Sequence, residues 1–172
     1  VPTAVNDYLK CQETGKQQLK ELVTVDVPDN LVFYTTETET ETATQFDKNI
    51  PFATKYYFTY QETGKCASDR GNVSVEVLAT PVAKITSSSE QEICTSSETQ
   101  DFKVSATSEY GTGAWEIGKV VNENGVELDK SVVRINNASS ASTTITTPKG
   151  TVATINWRVV TRENICDAVA ST

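Results

Sequence analysis

The chain has no histidine and no methionine among its 172 residues. Without histidine, a serine or threonine nucleophile lacks its usual general base, and a metal site lacks its commonest ligand. Positive charge is scarce, with 15 Lys and Arg against 23 Asp and Glu and a net charge of −8. That balance argues against nucleic acid, whose binders present a basic face. No run approaches the roughly 20 apolar residues of a membrane span, and no leader segment is recognisable. The chain starts at Val1 without a methionine, so the expectation is a piece of a longer secreted chain. Helical periodicity is almost absent as well.

Cysteine is limited to four residues, and these fall into a repeated frame. Cys11 lies 22 residues before Phe33, and Cys94 lies 21 before Trp115; Tyr57 and Trp157 each lie nine before Cys66 and Cys166. An internal repeat of this kind indicates two copies of one unit, with domains expected over 1–80 and 81–172. A unit of that size buries a modest core, so a cross-link matters to it. Four cysteines allow three pairings, and the repeat frame selects Cys11–Cys66 and Cys94–Cys166. In the chain-entropy description each such closure stabilises its unit by roughly 4 kcal/mol. Disulfides place the protein in an oxidising space, secreted, periplasmic or at the cell surface, and the expectation is an extracellular or surface location. The wide spacing of the four thiols and the lack of a CxxC disfavour zinc.

Apolar residues alternate in short runs bounded by turn residues, which is the all-β pattern. In the first unit Val23, Val25 and Val27 alternate with Thr24 and Asp26, Leu31 and Phe33 with Val32 and Tyr34, and Val73, Val75 and Val77 with Ser74 and Glu76. Tyr56, Phe58 and Tyr60 share one face of a strand, with Tyr57 and Thr59 on the other. The second unit repeats the pattern through Phe102, Val104 and Ala106, then Trp115 and Ile117, and later Ile155, Trp157 and Val159. Asn122-Glu123-Asn124-Gly125 and Pro148-Lys149-Gly150 read as turns. Proline cannot join a ladder, so the boundary falls near Ala79-Thr80-Pro81. The fold class is all-β, two tandem immunoglobulin-like β-sandwiches with one intradomain disulfide each.

Thr54-Lys55-Tyr56-Tyr57-Phe58-Thr59, Gly64-Lys65-Cys66-Ala67-Ser68-Asp69-Arg70, Val73-Ser74-Val75 and Pro81, with Cys11 and Phe33-Tyr34 before them, resemble the tandem immunoglobulin-like modules of Bacteroidota surface proteins. Gly111-Thr112-Gly113-Ala114-Trp115 and Thr154-Ile155-Asn156-Trp157-Arg158 with Cys166 resemble the related PKD-like modules of the same proteins. Such modules occur in large adhesins of the type IX secretion route, gliding-motility adhesins among them, and beside polysaccharide-degrading enzymes. The resemblance implies a stalk or adhesive repeat with no catalytic residues. Its expected partners are neighbouring repeats of the same chain and a surface polysaccharide or other extracellular ligand. The alternatives are an accessory carbohydrate-binding module and a strand-exchanging fibre subunit. The last arises because the final strand of unit one starts seven residues after Cys66, whereas only 167–172 follow Cys166; the last strand of the second unit is therefore expected to be short or truncated.

Candidate site residues are few. Outward tyrosines could stack on sugar rings, which singles out Tyr57 and Tyr60. Thr36 to Glu41 alternates threonine and glutamate, and an extended strand there puts Glu37, Glu39 and Glu41 on one face. That acidic ladder is either a calcium site, although no calcium-loop motif accompanies it, or a solvated edge that resists aggregation; otherwise no cofactor is expected. Asp7, Asp47, Asp69 and Asp101 could pair as acid and base, but nothing in the sequence sets them apart. Asn72-Val73-Ser74 and Asn137-Ala138-Ser139 match the N-glycosylation sequon and are assigned no chemistry. Trp115 and Trp157 are expected in the core.

Overall fold

β-Branched and aromatic residues that alternate with polar ones fit a pleated, half-buried surface. In the computed structural model, which describes residues 2–38, 40–88, 90–93 and 96–172, they form strands throughout, and the only helical pieces among the described residues are short 3-10 turns. The chain divides into two units, Val1–Ala79 and Thr80–Thr172.

Unit 1 contains β1 (Ala4–Val5), β2 (Tyr8–Cys11), β3 (Lys16–Gln18), β4 (Val23–Thr24), β5 (Leu31–Tyr34), β6 (Thr42–Ala43), β7 (Gln45–Asp47), β8 (Phe52–Tyr60) and β9 (Gly71–Leu78). Five of them make one sheet in the order β2-β9-β8-β5-β6, while β1 pairs with β4 and β3 with β7. The β2–β9 pair is parallel, with Tyr8 opposite Val75 and Cys11 opposite Leu78. The expected alternation of Val73, Val75 and Val77 is observed, since all three are buried with Tyr8, Phe33, Phe46 and Phe58. The Val23-Val25-Val27 run departs from expectation. Only Val23–Thr24 is strand, and Val27 is exposed, because Pro28 opens a 3-10 turn directly after it and leaves no ladder donor at that point.

Unit 2 contains β10 (Val82–Ile85), β11 (Thr99–Glu109), β12 (Thr112–Asn122), β13 (Arg134–Ile135), β14 (Ser142–Pro148), β15 (Thr151–Val160) and β16 (Asp167–Ser171). One sheet has the order β10-β11-β14-β13 and the other β12-β15-β16. Val104, Ala106 and Ile145 from the first sheet share one core with Trp115, Val120, Ile155, Trp157 and Val159 from the second. Both tryptophans are buried, as expected. They face each other across the β12–β15 ladder with ring centroids 4.9 Å apart. Burial obliges each indole N–H to find an acceptor: Trp115 Nε1 donates to Ser140 O at 2.9 Å and Trp157 Nε1 to Thr107 O at 3.1 Å.

Two glycines have a packing reason. A Cβ on Gly113 would lie 2.0 Å from Cζ2 of Trp157, and one on Gly71 would lie 2.5 Å from Cζ of Phe58. In both units a glycine in one strand makes room for an aromatic ring of the neighbouring strand.

The last strand of unit 2 is short but present. It starts one residue after Cys166, with Asp167 opposite Val160 and Ser171 opposite Asn156, and Thr172 and Ile155 exchange both backbone hydrogen bonds. The seven-residue offset expected from unit 1, where β9 in fact starts five residues after Cys66, fails here because the connection is tighter. Thr161 N donates to Cys166 O at 3.0 Å, and Cys166 N donates to Thr161 Oγ1 at 2.9 Å. That turn returns the chain to the ladder at once, whereas residues 61–70 of unit 1 form a longer connection.

Candidate functional site

The cysteines do not follow the repeat frame. Cys66 is a free thiol exposed to solvent, while Cys11 and Cys166 are each disulfide-bonded; Cys94 lies outside the described residues. The expected Cys11–Cys66 bridge is therefore corrected, and the expected Cys94–Cys166 bridge falls with it, because among four cysteines it would leave the bonded Cys11 without a partner; the expectation of one intradomain disulfide per unit does not hold. The parallel pairing explains why. Cys11 sits beside Leu78 at the end of β9, whereas Cys66 precedes Gly71 at its start. At about 3.3 Å per residue the start of β9 at Gly71 lies roughly 23 Å along the sheet from Leu78, so Cys11 stands at the opposite end of β9 from the connection that carries Cys66, and a disulfide spans only a few ångströms between Cα atoms.

The aromatic candidates are not brought together. Tyr60 is buried, and its hydroxyl accepts from Asn30 Nδ2 at 3.4 Å, so its ring offers nothing to a sugar. Tyr57 is half-buried in β8, opposite Tyr34 of β5 and Asn72 of β9. Three positions separate Tyr57 from Tyr60, which puts them on opposite faces. Beside Tyr57, the Arg70 guanidinium stacks over the Tyr34 ring at 4.1 Å. Its Nη1 donates to the carbonyls of Thr36, at 3.1 Å, and of Glu37.

That clamp bears on the acidic ladder. Residues 35–38 form bends rather than a strand, between β5 and β6, and Thr35 N donates to Glu41 O at 3.1 Å. Glu37 and Glu41 thus lie in a connection, and the period-two face expected of them does not exist; Glu39 lies outside the described residues. Among the described residues no group of three or more acidic or thiol side chains converges as a metal site would require. No helix among them is long and apolar enough to cross a membrane.

Three of the four aspartates considered as acid or base serve local structure. Asp7 Oδ1 accepts from Ser74 N at 2.8 Å, Asp47 Oδ1 from Asn49 N at 2.8 Å, and Asp101 Oδ1 from Thr146 Oγ1 at 2.6 Å. A denser polar cluster forms around Glu13, which accepts from Lys48 Nζ at 2.8 Å and from the Tyr8 hydroxyl at 3.2 Å. The Lys48 hydrogen bond, then that of Tyr8, holds the Glu13 carboxyl below the usual range. Burial, reinforced by the hydrogen bond to Glu13, pushes the Tyr8 hydroxyl up to about 12. The cluster ties the strand β2 to the loops at 12–15 and 47–49 and contains no nucleophile with a free base.

Unit 2 offers a constellation absent from the sequence expectations. On the outward face of the β12-β15-β16 sheet lies a hollow of about 410 Å³ lined by Thr112, Ala114, Glu116, Arg158, Asn164 and Asp167. Arg158 Nη2 donates to Asp167 Oδ2 at 2.9 Å, and Arg158 Nη1 stands 3.9 Å from Glu116 Oε1. Ala114 lies opposite Arg158 in the ladder, and both line the hollow. One signal could have found this group. Residues that flank a buried strand residue must point outward, so Ala114 and Glu116 around Trp115, and Arg158 after Trp157, were legible as one outer face.

No family model matches the chain, and no curated protein matches it.

Proposed function

We propose that the chain is a structural and adhesive repeat segment of a larger secreted or surface-anchored bacterial protein, a non-enzymatic stalk or weak multivalent binder made of two immunoglobulin-type sandwiches. The observation that carries this reading is the strand order of unit 2. β10-β11-β14-β13 facing β12-β15-β16 corresponds to the A-B-E-D and C-F-G sheets of the seven-stranded immunoglobulin arrangement, and Trp115 stands on the strand that corresponds to C, where that fold has its buried tryptophan. Unit 1 supports it through β9-β8-β5-β6, an order that corresponds to G-F-C-C′. Oxidised Cys11 and Cys166 favour an extracellular setting, and the engagement of Asp7, Asp47 and Asp101 in local hydrogen bonds favours a scaffold over a catalyst.

A strand-exchanging fibre subunit would need an open position beside β15, and β16 fills it. An accessory carbohydrate-binding module remains the second reading, supported by the hollow at Arg158 rather than by Tyr57 and Tyr60. Multivalent weak contacts gain avidity steeply with copy number. Beads that carry one, two or four tandem copies of the chain, held under flow on polysaccharide-coated glass, test the adhesive reading. Retention should rise more steeply than copy number. Retention no better than that of albumin-coated beads at four copies would remove the adhesive role.

A further inference from the structure

We propose that the hollow over Ala114 is a binding subsite for one neutral sugar unit, with Arg158, Glu116 and Asp167 as the groups that read a vicinal diol. The inference deepens the adhesive reading and rests on it for its biological sense, but its geometry stands alone. The Arg158–Glu116 separation of 3.9 Å is too long for a direct hydrogen bond. A hydroxyl that accepts from the guanidinium at about 2.9 Å and donates to the carboxylate at about 2.7 Å needs a span of about 4.5 Å, so an outward shift of about 0.6 Å by these two half-exposed side chains admits one between them. A bridging water meets the same requirement, and a sugar hydroxyl would replace it without loss of either bond. The second hydroxyl of a diol finds Asp167, which uses Oδ2 on Arg158 Nη2 and retains acceptor capacity on its other oxygen. The guanidinium has five N–H donors in a fixed fork, so it donates to Asp167 and to a ligand together.

Two further features point to the same place. The non-glycine residues with left-handed backbone among the described residues are Tyr110, Glu163 and Asn164, with φ of 58°, 56° and 56°. All three sit in the turns that frame this hollow, ahead of Thr112 and after Val160. Such conformations cost energy and persist where the surroundings over-determine them, often at ligand sites. The charge of the site also selects its ligand. Two carboxylates against one guanidinium, on a chain of net charge −8, disfavour an anionic sugar and leave neutral units.

The test is an amide chemical-shift titration of the ¹⁵N-labelled full chain with maltotriose, with mannotriose and, for comparison, with glucuronic acid. At least one neutral trisaccharide should produce saturating shifts confined to Thr112, Glu116, Arg158, Asn164 and Asp167, with a dissociation constant of about 1–10 mM. Glucuronic acid should bind at least about fivefold more weakly. Arg158→Ala should abolish saturation. Arg158→Lys, which keeps the charge and the fold but not the planar fork, should weaken binding about tenfold or more. Shifts that fail to saturate with both neutral sugars, that fall elsewhere, or that survive Arg158→Lys unchanged would overturn the proposal. Because bead retention is measured separately, loss of the sugar site and loss of the adhesive role are distinguishable.

Discussion

Replacing Gly113 with alanine isolates one packing contact. The added Cβ would lie 2.0 Å from Cζ2 and 2.3 Å from Cε2 of Trp157, well inside van der Waals contact. The ring cannot yield cheaply. Trp157 is 2 % exposed, its indole N–H is held by Thr107 O, and its other neighbour is the Trp115 ring. Gly113 has no left-handed backbone, so alanine is conformationally acceptable there and the effect is one of space. Overpacking of this kind costs about 1–3 kcal/mol. If the ring moves enough to lose its hydrogen bond inside the core, about 1–2 kcal/mol more is lost. The expected destabilisation is therefore about 2–5 kcal/mol, which for a unit of this size lowers the midpoint of thermal unfolding by roughly 10–30 °C. Both tryptophans lie in unit 2, so tryptophan fluorescence during urea unfolding reports on that unit, while tyrosine signals from unit 1 serve as an internal control. A Trp157→Phe change made on top of Gly113→Ala should recover part of the loss, and the double-mutant cycle should show coupling of more than about 1 kcal/mol. A Gly113→Ala protein within about 0.5 kcal/mol of the parent would refute the argument that the glycine exists to admit the indole.

Two other expectations concern unit 1. Tyr8 titrates near 10 when unfolded and at about 12 when folded, so its contribution is fully present below pH 10 and disappears as pH rises towards 12. Urea unfolding should show up to about 2 kcal/mol of stability lost across that window, and Tyr8→Phe should flatten the loss; identical pH profiles for the two proteins would refute the assignment. Cys66 should react with iodoacetamide in the native, unreduced chain, as peptide mapping would show, and Cys66→Ser should change stability by less than about 0.5 kcal/mol; protection of Cys66 from the reagent would contradict its exposed, free state.

The features of the fold that depend on period were legible in the sequence. Val73, Val75 and Val77, or Trp115 and Trp157, point inward because a strand alternates with period two and the core is apolar. Features that depend on strand direction were not. The repeat frame counts residues between cysteines and aromatics, and it holds no information on whether β2 runs parallel or antiparallel to β9. That choice alone decides which end of the sheet Cys11 occupies, and it separates Cys11 from Cys66. Tyr60 looked like a surface ring because alternation assigns a face without saying what covers it; Asn30, thirty residues away, supplies the partner for its hydroxyl. The glutamates of 37–41 fit a strand by pattern alone, until Arg70 draws the carbonyls of Thr36 and Glu37 into a turn. The hollow at Arg158 needed the pairing of β12, β15 and β16, which brings residues 114, 158 and 167 together across three strands.

The parallel run of β2 beside β9 has a consequence for how such a chain can evolve. A polypeptide that arrives along β2 and departs along β9 travels in one direction on both passages, so unit 1 receives the chain at one pole and releases it at the other. Nothing has to double back to reach the next stretch of sequence. An insertion of sequence before β2 or after β9 can then be accommodated at either pole without rerouting the backbone of the sheet between them.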